Sequence, residues 1–147
     1  MKKSWWKVPA YCMIASWIGF DLEVRLLARF AIVKLPDGTV TSDSLRSMIV
    51  SGGLFVAIVL IGGLLFFRKM TRRELFCSAS VLVGLNLVLG LIAYKVQGMP
   101  AFYWAKLSEW DVFVSSLLYR LGLGIWGSAV ITWVLPPYVF VLFGRKE

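Results

Sequence analysis

Asp21, Arg25 and Arg29 recur every four residues in the segment FDLEVRLLARF, which on a helix sets one carboxylate and two guanidiniums along a single face. Far along the chain Ser116, Arg120, Gly124, Ser128 and Thr132 repeat the same spacing, so a lone arginine sits within a stripe of small and polar residues. A guanidinium matches the geometry of a carboxylate or a phosphate. The chemistry these residues suggest is therefore ion pairing or anion binding. Glu23 lies two positions from Asp21 and diverges from it by about 200° on a helix, so the two acids do not form a catalytic dyad. The sequence has no histidine, and its two cysteines, Cys12 and Cys77, are scattered. That leaves no expectation of a metal site, since zinc is held by clustered cysteine, histidine and carboxylate ligands. No catalytic residue and no cofactor is expected either, and the thiols read as small apolar side chains.

The elements that must carry these groups are apolar. The chain has 147 residues, 59% of them hydrophobic, against roughly 45–50% in a soluble domain. Leu45–Phe67, Leu75–Tyr94 and Val112–Phe143 are each long enough to cross a hydrocarbon core that needs about 20 helical residues. Val8–Val33 is long enough too, but it contains Asp21, Glu23, Arg25 and Arg29. The expected fold is all-α, a single integral membrane four-helix bundle over residues 1–147. Its helices are expected at about 8–33, 45–67, 72–94 and 111–143. The last should be kinked at Pro136-Pro137, because Pro137 lacks a donor and Pro136 disfavours helical angles at Leu135.

Local punctuation supports these boundaries. Pro36-Asp37-Gly38 is a turn signal, with a short hairpin available around Gly38. Ser42, Asp43 or Ser44 can cap the second helix, and Thr71 with Glu74 matches a capping box. Small residues along the second helix, among them Gly52, Gly53, Gly62 and Gly63, allow close helix packing. The aromatic run AFYWAKLSEW, residues 101–110, is expected to lie on the outer membrane surface.

Charge sets the expected orientation. The formal net charge is +8. Lys2, Lys3, Lys7, Arg68, Lys69, Arg72, Arg73, Arg145 and Lys146 fall on one side of a four-pass chain. Lys34, Arg46, Lys95 and Lys106 face them, offset by Asp37, Asp43, Glu109 and Asp111. Lys and Arg accumulate in cytoplasmic loops, so both termini are expected in the cytoplasm. The basic face then meets anionic lipid headgroups, which accounts for the charge without a nucleic-acid partner.

Depth counting brings the polar groups together. At 1.5 Å per residue, Asp21 lies roughly 21 Å above Lys7 and Asn86 roughly 18 Å above Glu74. With Asp111 at the outer surface, Arg120 lies roughly 14 Å below it, in the same layer. The expectation is that Arg120 faces Asp21, as a structural ion pair or as an outward-facing pocket for an anion or lipid headgroup that also uses Arg25, Arg29 and Asn86. An unpaired charge at that depth costs at least about 2.5–3.5 kcal/mol. The expected role is that of a small non-catalytic multi-pass protein of the cell (plasma or inner) membrane, serving as a subunit or regulator of a larger assembly. The alternative is an oligomeric transporter, channel or binding protein built around Arg120.

Overall fold

The structure, a computed structural model, describes residues 4–96 and 98–146. Lys2 and Lys3 lie outside the described residues. The protein is mostly helical, and three helical stretches are long and apolar enough to cross a membrane: Ser44–Phe67, Arg72–Val96 and Ile125–Phe143.

Helix α1 (Lys7–Phe30) runs 24 residues and is followed by a small antiparallel hairpin, β1 (Ile32–Lys34) and β2 (Val40–Ser42). The Asp37 carboxylate closes the hairpin turn by accepting from the Thr39 backbone at 2.9 Å and the Thr39 hydroxyl at 2.6 Å. Those two bonds hold its pKa below the ordinary 3.8. Helix α2 (Ser44–Ile61) starts on an Asp43 cap that accepts from the Leu45 and Arg46 backbone N–H groups, and it continues as a π-helical segment, Gly62–Phe67. Helix α3 (Arg72–Val96) opens on the reciprocal box that its sequence announces. The Thr71 N–H donates to Glu74 Oε2 at 3.0 Å and the Glu74 N–H to Thr71 Oγ1 at 3.2 Å.

The chain then departs from the expected course. Residues 99–108 do not form a loop. They make helix α4 (Met99–Ser108), entered through Gly98 at φ 75°, a backbone conformation that side chains with a Cβ rarely adopt. A 3₁₀ turn, Glu109–Asp111, leads into helix α5 (Val112–Arg120). Gly122 at φ 93° then reverses the chain into helix α6 (Ile125–Val134). The expected single helix over 111–143 is therefore three pieces. The reason is local: the Leu121–Gly124 turn has two glycines within an apolar run, and the reversal leaves hydrophobicity unchanged on both sides. The α-helix stops again at Val134, and Pro136–Phe143 continues as a 3₁₀ helix, as two prolines without N–H donors require.

One end of the molecule is tied by backbone bonds. The Arg145 N–H donates to the Met70 carbonyl at 2.9 Å and the Arg72 N–H to the Arg145 carbonyl at 3.2 Å. Nearby, Ser78 accepts from the Val8 N–H at 3.0 Å and donates to the Trp5 carbonyl at 2.8 Å. The starts of α1 and α3 and the ends of α2 and the 3₁₀ helix thus share one end, and the β-hairpin caps the other.

Helices α4 and α5 form an inserted hairpin. Along α4, Phe102 meets Phe20 at 6.1 Å between ring centroids, and Lys106 reaches Trp17 and Asp21. Asp111 comes within electrostatic reach of Cys12. The contacts thus move from Phe20 and Asp21 down α1 to Cys12, toward Lys7. On the way back Phe113 packs on Gly52 and Arg120 meets Ser44, at the opposite end of α2 from Phe67. The turn of the hairpin is the deepest part. Trp110 is 4% exposed and stacks on both Phe55, at 5.7 Å, and Phe140, at 5.6 Å. It belongs to one continuous core with Val8, Cys12, Phe67 and Leu75. Glycines of α2 and α3 admit the large rings: a Cβ on Gly62 would stand 2.6 Å from Tyr11, and one on Gly90 2.9 Å from Trp133.

Candidate functional site

The arms of the hairpin pack against different neighbours, α4 on α1 and α3, and α5 on α2 and α6. Between them, with α3 and α6 completing its walls, is a half-open cavity of about 690 Å³. Drug-sized ligands occupy clefts of about 300–1,000 Å³. Its walls carry Tyr94, Trp104, Trp126 and Trp133, and its polar groups come from the hairpin turn and the adjoining helices: Ser108, Glu109, Asp111, Ser115 and Thr132.

Each group is placed for a definable reason. The 3₁₀ turn winds more tightly than an α-helix. Within it Trp110 is driven into the core, while Glu109 stays exposed and Asp111 sinks to 2% exposure. Asp111 Oδ2 has no hydrogen-bond partner, and neither has Trp110 Nε1 or Ser16 Oγ in α1, which is 1% exposed. Thr132 and Ser128 on α6 are buried but satisfied locally: Thr132 donates to the Ser128 carbonyl at 2.7 Å and Ser128 to the Leu123 carbonyl at 3.3 Å. Glu23 accepts from Ser51 of α2 and lies within electrostatic reach of Glu109. Among the described residues, no Lys or Arg forms an ion pair with Glu23, Glu109 or Asp111.

The residues singled out by spacing do not converge. Asp21 pairs with Lys106 at 2.9 Å rather than with Arg120. Lys106 Nζ also lies 4.4 Å from the centre of the Trp17 ring and 5.3 Å from that of Phe20, a carboxylate and two aromatic faces around one ammonium. Arg120 is exposed and donates to the hydroxyl and carbonyl of Ser44. Arg25 and Arg29 are exposed, and Arg29 lies 6.0 Å from the centre of the Phe30 ring. Asn86 is buried at 2% exposure, and its amide nitrogen approaches the Trp133 carbonyl at 3.5 Å. Among the described residues Asp21 and Arg120 form no ion pair, and each has a different partner. Depth counting placed Asp111 at the outer surface and ran the chain inward. The chain instead runs from a buried Asp111 toward the Ser44 end of α2, where Arg120 is exposed.

The groups that spacing missed are Glu109, Trp110 and Asp111. Their signal was present in the sequence. Gly98 precedes ten residues rich in aromatics, and a charged turn follows them. That pattern is equally compatible with an interfacial belt. What the cavity can do chemically is hold a ligand against aromatic faces and two carboxyl groups. Compared with protein-family models, with curated proteins and with solved structures, the chain gives no match.

Proposed function

We propose that this chain is a non-catalytic four-pass protein of the cell membrane that binds a ligand in the cavity between the arms of the α4–α5 hairpin. In this reading α1, α2, α3 and the stretch Ile125–Phe143 are the spans, and α4–α5 is a re-entrant hairpin. Irregular backbone at membrane depth is tolerated where protein or a cavity surrounds it. The end that gathers Lys7, Arg68, Lys69, Arg72, Arg73, Arg145 and Lys146 faces the cytoplasm and its anionic headgroups. The β-hairpin faces outward.

The observation that carries the reading is the 690 Å³ cavity with Glu109 and Asp111 among its walls. Ionisable groups inside a membrane domain are costly and mark ligand or ion paths. Binding could serve transport by an oligomer or sensing within a larger assembly. The anion site around Arg120 is set aside, since Arg120 does not line the cavity.

Native mass spectrometry of the full chain in mild detergent tests this proposal. The expected result is a retained small molecule that is lost when Ala129, a small residue of the cavity wall, becomes Trp. A ligand-free chain that co-purifies with a stoichiometric foreign subunit would overturn it in favour of a purely structural role.

A further inference from the structure

The cavity repeats the chemistry that the protein already uses to hold an ammonium group. Lys106 rests between the Asp21 carboxylate and the faces of Trp17 and Phe20. On the other side of α4 the cavity presents Glu109 and Asp111 together with Tyr94, Trp104, Trp126 and Trp133, and among the described residues no Lys or Arg lines it. Asp111 is 2% exposed, and its Oδ2 has no hydrogen-bond partner among the described residues. Aromatic faces attract cations, most strongly where water is excluded. A buried carboxylate is stable only when paired, hydrogen-bonded or protonated.

We propose that the ligand of this cavity is a lipophilic organic cation, an ammonium or phosphonium held by Glu109 and Asp111 and stacked on the tryptophan walls. This rests on the binding role proposed above and adds the charge of the ligand to it. A metal cation does not fit as well: among the described residues no group of three or more Cys, Asp or Glu is placed to hold one. An anionic headgroup would find two acids and no basic side chain on the walls.

The test uses purified full-length protein in detergent and two ions of the same shape and opposite charge, tetraphenylphosphonium and tetraphenylborate. Binding is read by quenching of tryptophan fluorescence and by calorimetry, with Ala129→Trp as the filled-cavity control for micelle partitioning. Tetraphenylphosphonium is expected to bind saturably and at least tenfold tighter than tetraphenylborate. Glu109→Gln should lower its affinity tenfold or more without moving the unfolding transition. Asp111→Asn should do the same if it folds, and Glu109→Gln alone decides if it does not. Equal binding of both ions, with Glu109→Gln silent, overturns the inference while leaving a ligand-binding cavity. No saturable binding of either ion, with Ala129→Trp indistinguishable from the parent, overturns both the inference and the binding role.

Discussion

Replacing Trp110 with alanine should be among the most damaging single changes in the molecule, and replacing it with phenylalanine should be nearly silent. Trp110 is 4% exposed, with Phe55 and Phe140 stacked against it at 5.7 and 5.6 Å between ring centroids. Truncation to alanine removes ~140 Å³ of side chain, which at ~24 cal/mol per Å³ of unrelaxed cavity corresponds to about 3 kcal/mol. This figure does not depend on transfer from water, so it holds for a core surrounded by lipid. Phenylalanine leaves a void of only ~40 Å³, costing about 1 kcal/mol. It also deletes an indole N–H that has no partner, and burying such a group costs ~1–3 kcal/mol. The two effects oppose each other, so Trp110→Phe should fall within about 1 kcal/mol of the parent. Reversible unfolding in mixed detergent micelles, followed by circular dichroism, measures both. If the alanine and phenylalanine variants unfold together, close to the parent, the hairpin turn is not in the core.

The glycines of α2 and its π-helical continuation offer a paired test. Gly62→Ala would push a methyl to 2.6 Å from Tyr11 and 2.9 Å from Phe140 and should cost about 1–3 kcal/mol, whereas Gly53→Ala meets nothing within 4 Å and should cost nothing in the same unfolding assay. The electrostatics can be read by double-mutant cycles. Arg120→Leu and Asp21→Leu should add within about 0.5 kcal/mol, because the two residues share no contact, while Lys106→Met and Asp21→Leu should couple. A coupling between Arg120 and Asp21 comparable to that of Lys106 and Asp21 would contradict the arrangement described.

Much of the secondary structure was legible because short-range chemistry dictates it. Thr71 and Glu74 satisfy each other's backbone donors wherever the helix is placed, Asp43 caps α2, and Asp37 with Gly38 turns the hairpin. The break at Pro136 has the same local origin. The candidate site was not legible, because it depends on direction rather than periodicity. Val112–Phe143 is apolar throughout, and a reversal at Gly122 leaves no trace in its hydropathy. Once the direction of α5 is inverted, every depth counted from Asp111 changes sign. The i+4 stripe of Ser116, Arg120, Gly124, Ser128 and Thr132 then spans two helices and is no stripe at all. Asp21 found its counter-charge in Lys106, a residue assigned by spacing to a surface loop.

The brevity of the hairpin arms constrains how such a protein is made. Helices α4 and α5 have 10 and 9 residues, about 15 and 14 Å, half of a bilayer's apolar thickness. Neither can be released into lipid as an independent segment, and the turn joining them carries Glu109 and Asp111. In the proposed membrane arrangement, α1, α2 and α3 leave the insertion machinery first and together form most of a wall. The hairpin must wait at the headgroup level until that wall exists. It slides in when Trp110 finds Phe55, and the last segment then seals it by bringing Phe140 against the indole. Assembly of this small protein is thus a two-step event, in which translocation and folding are separated by the time it takes to synthesise its final helix.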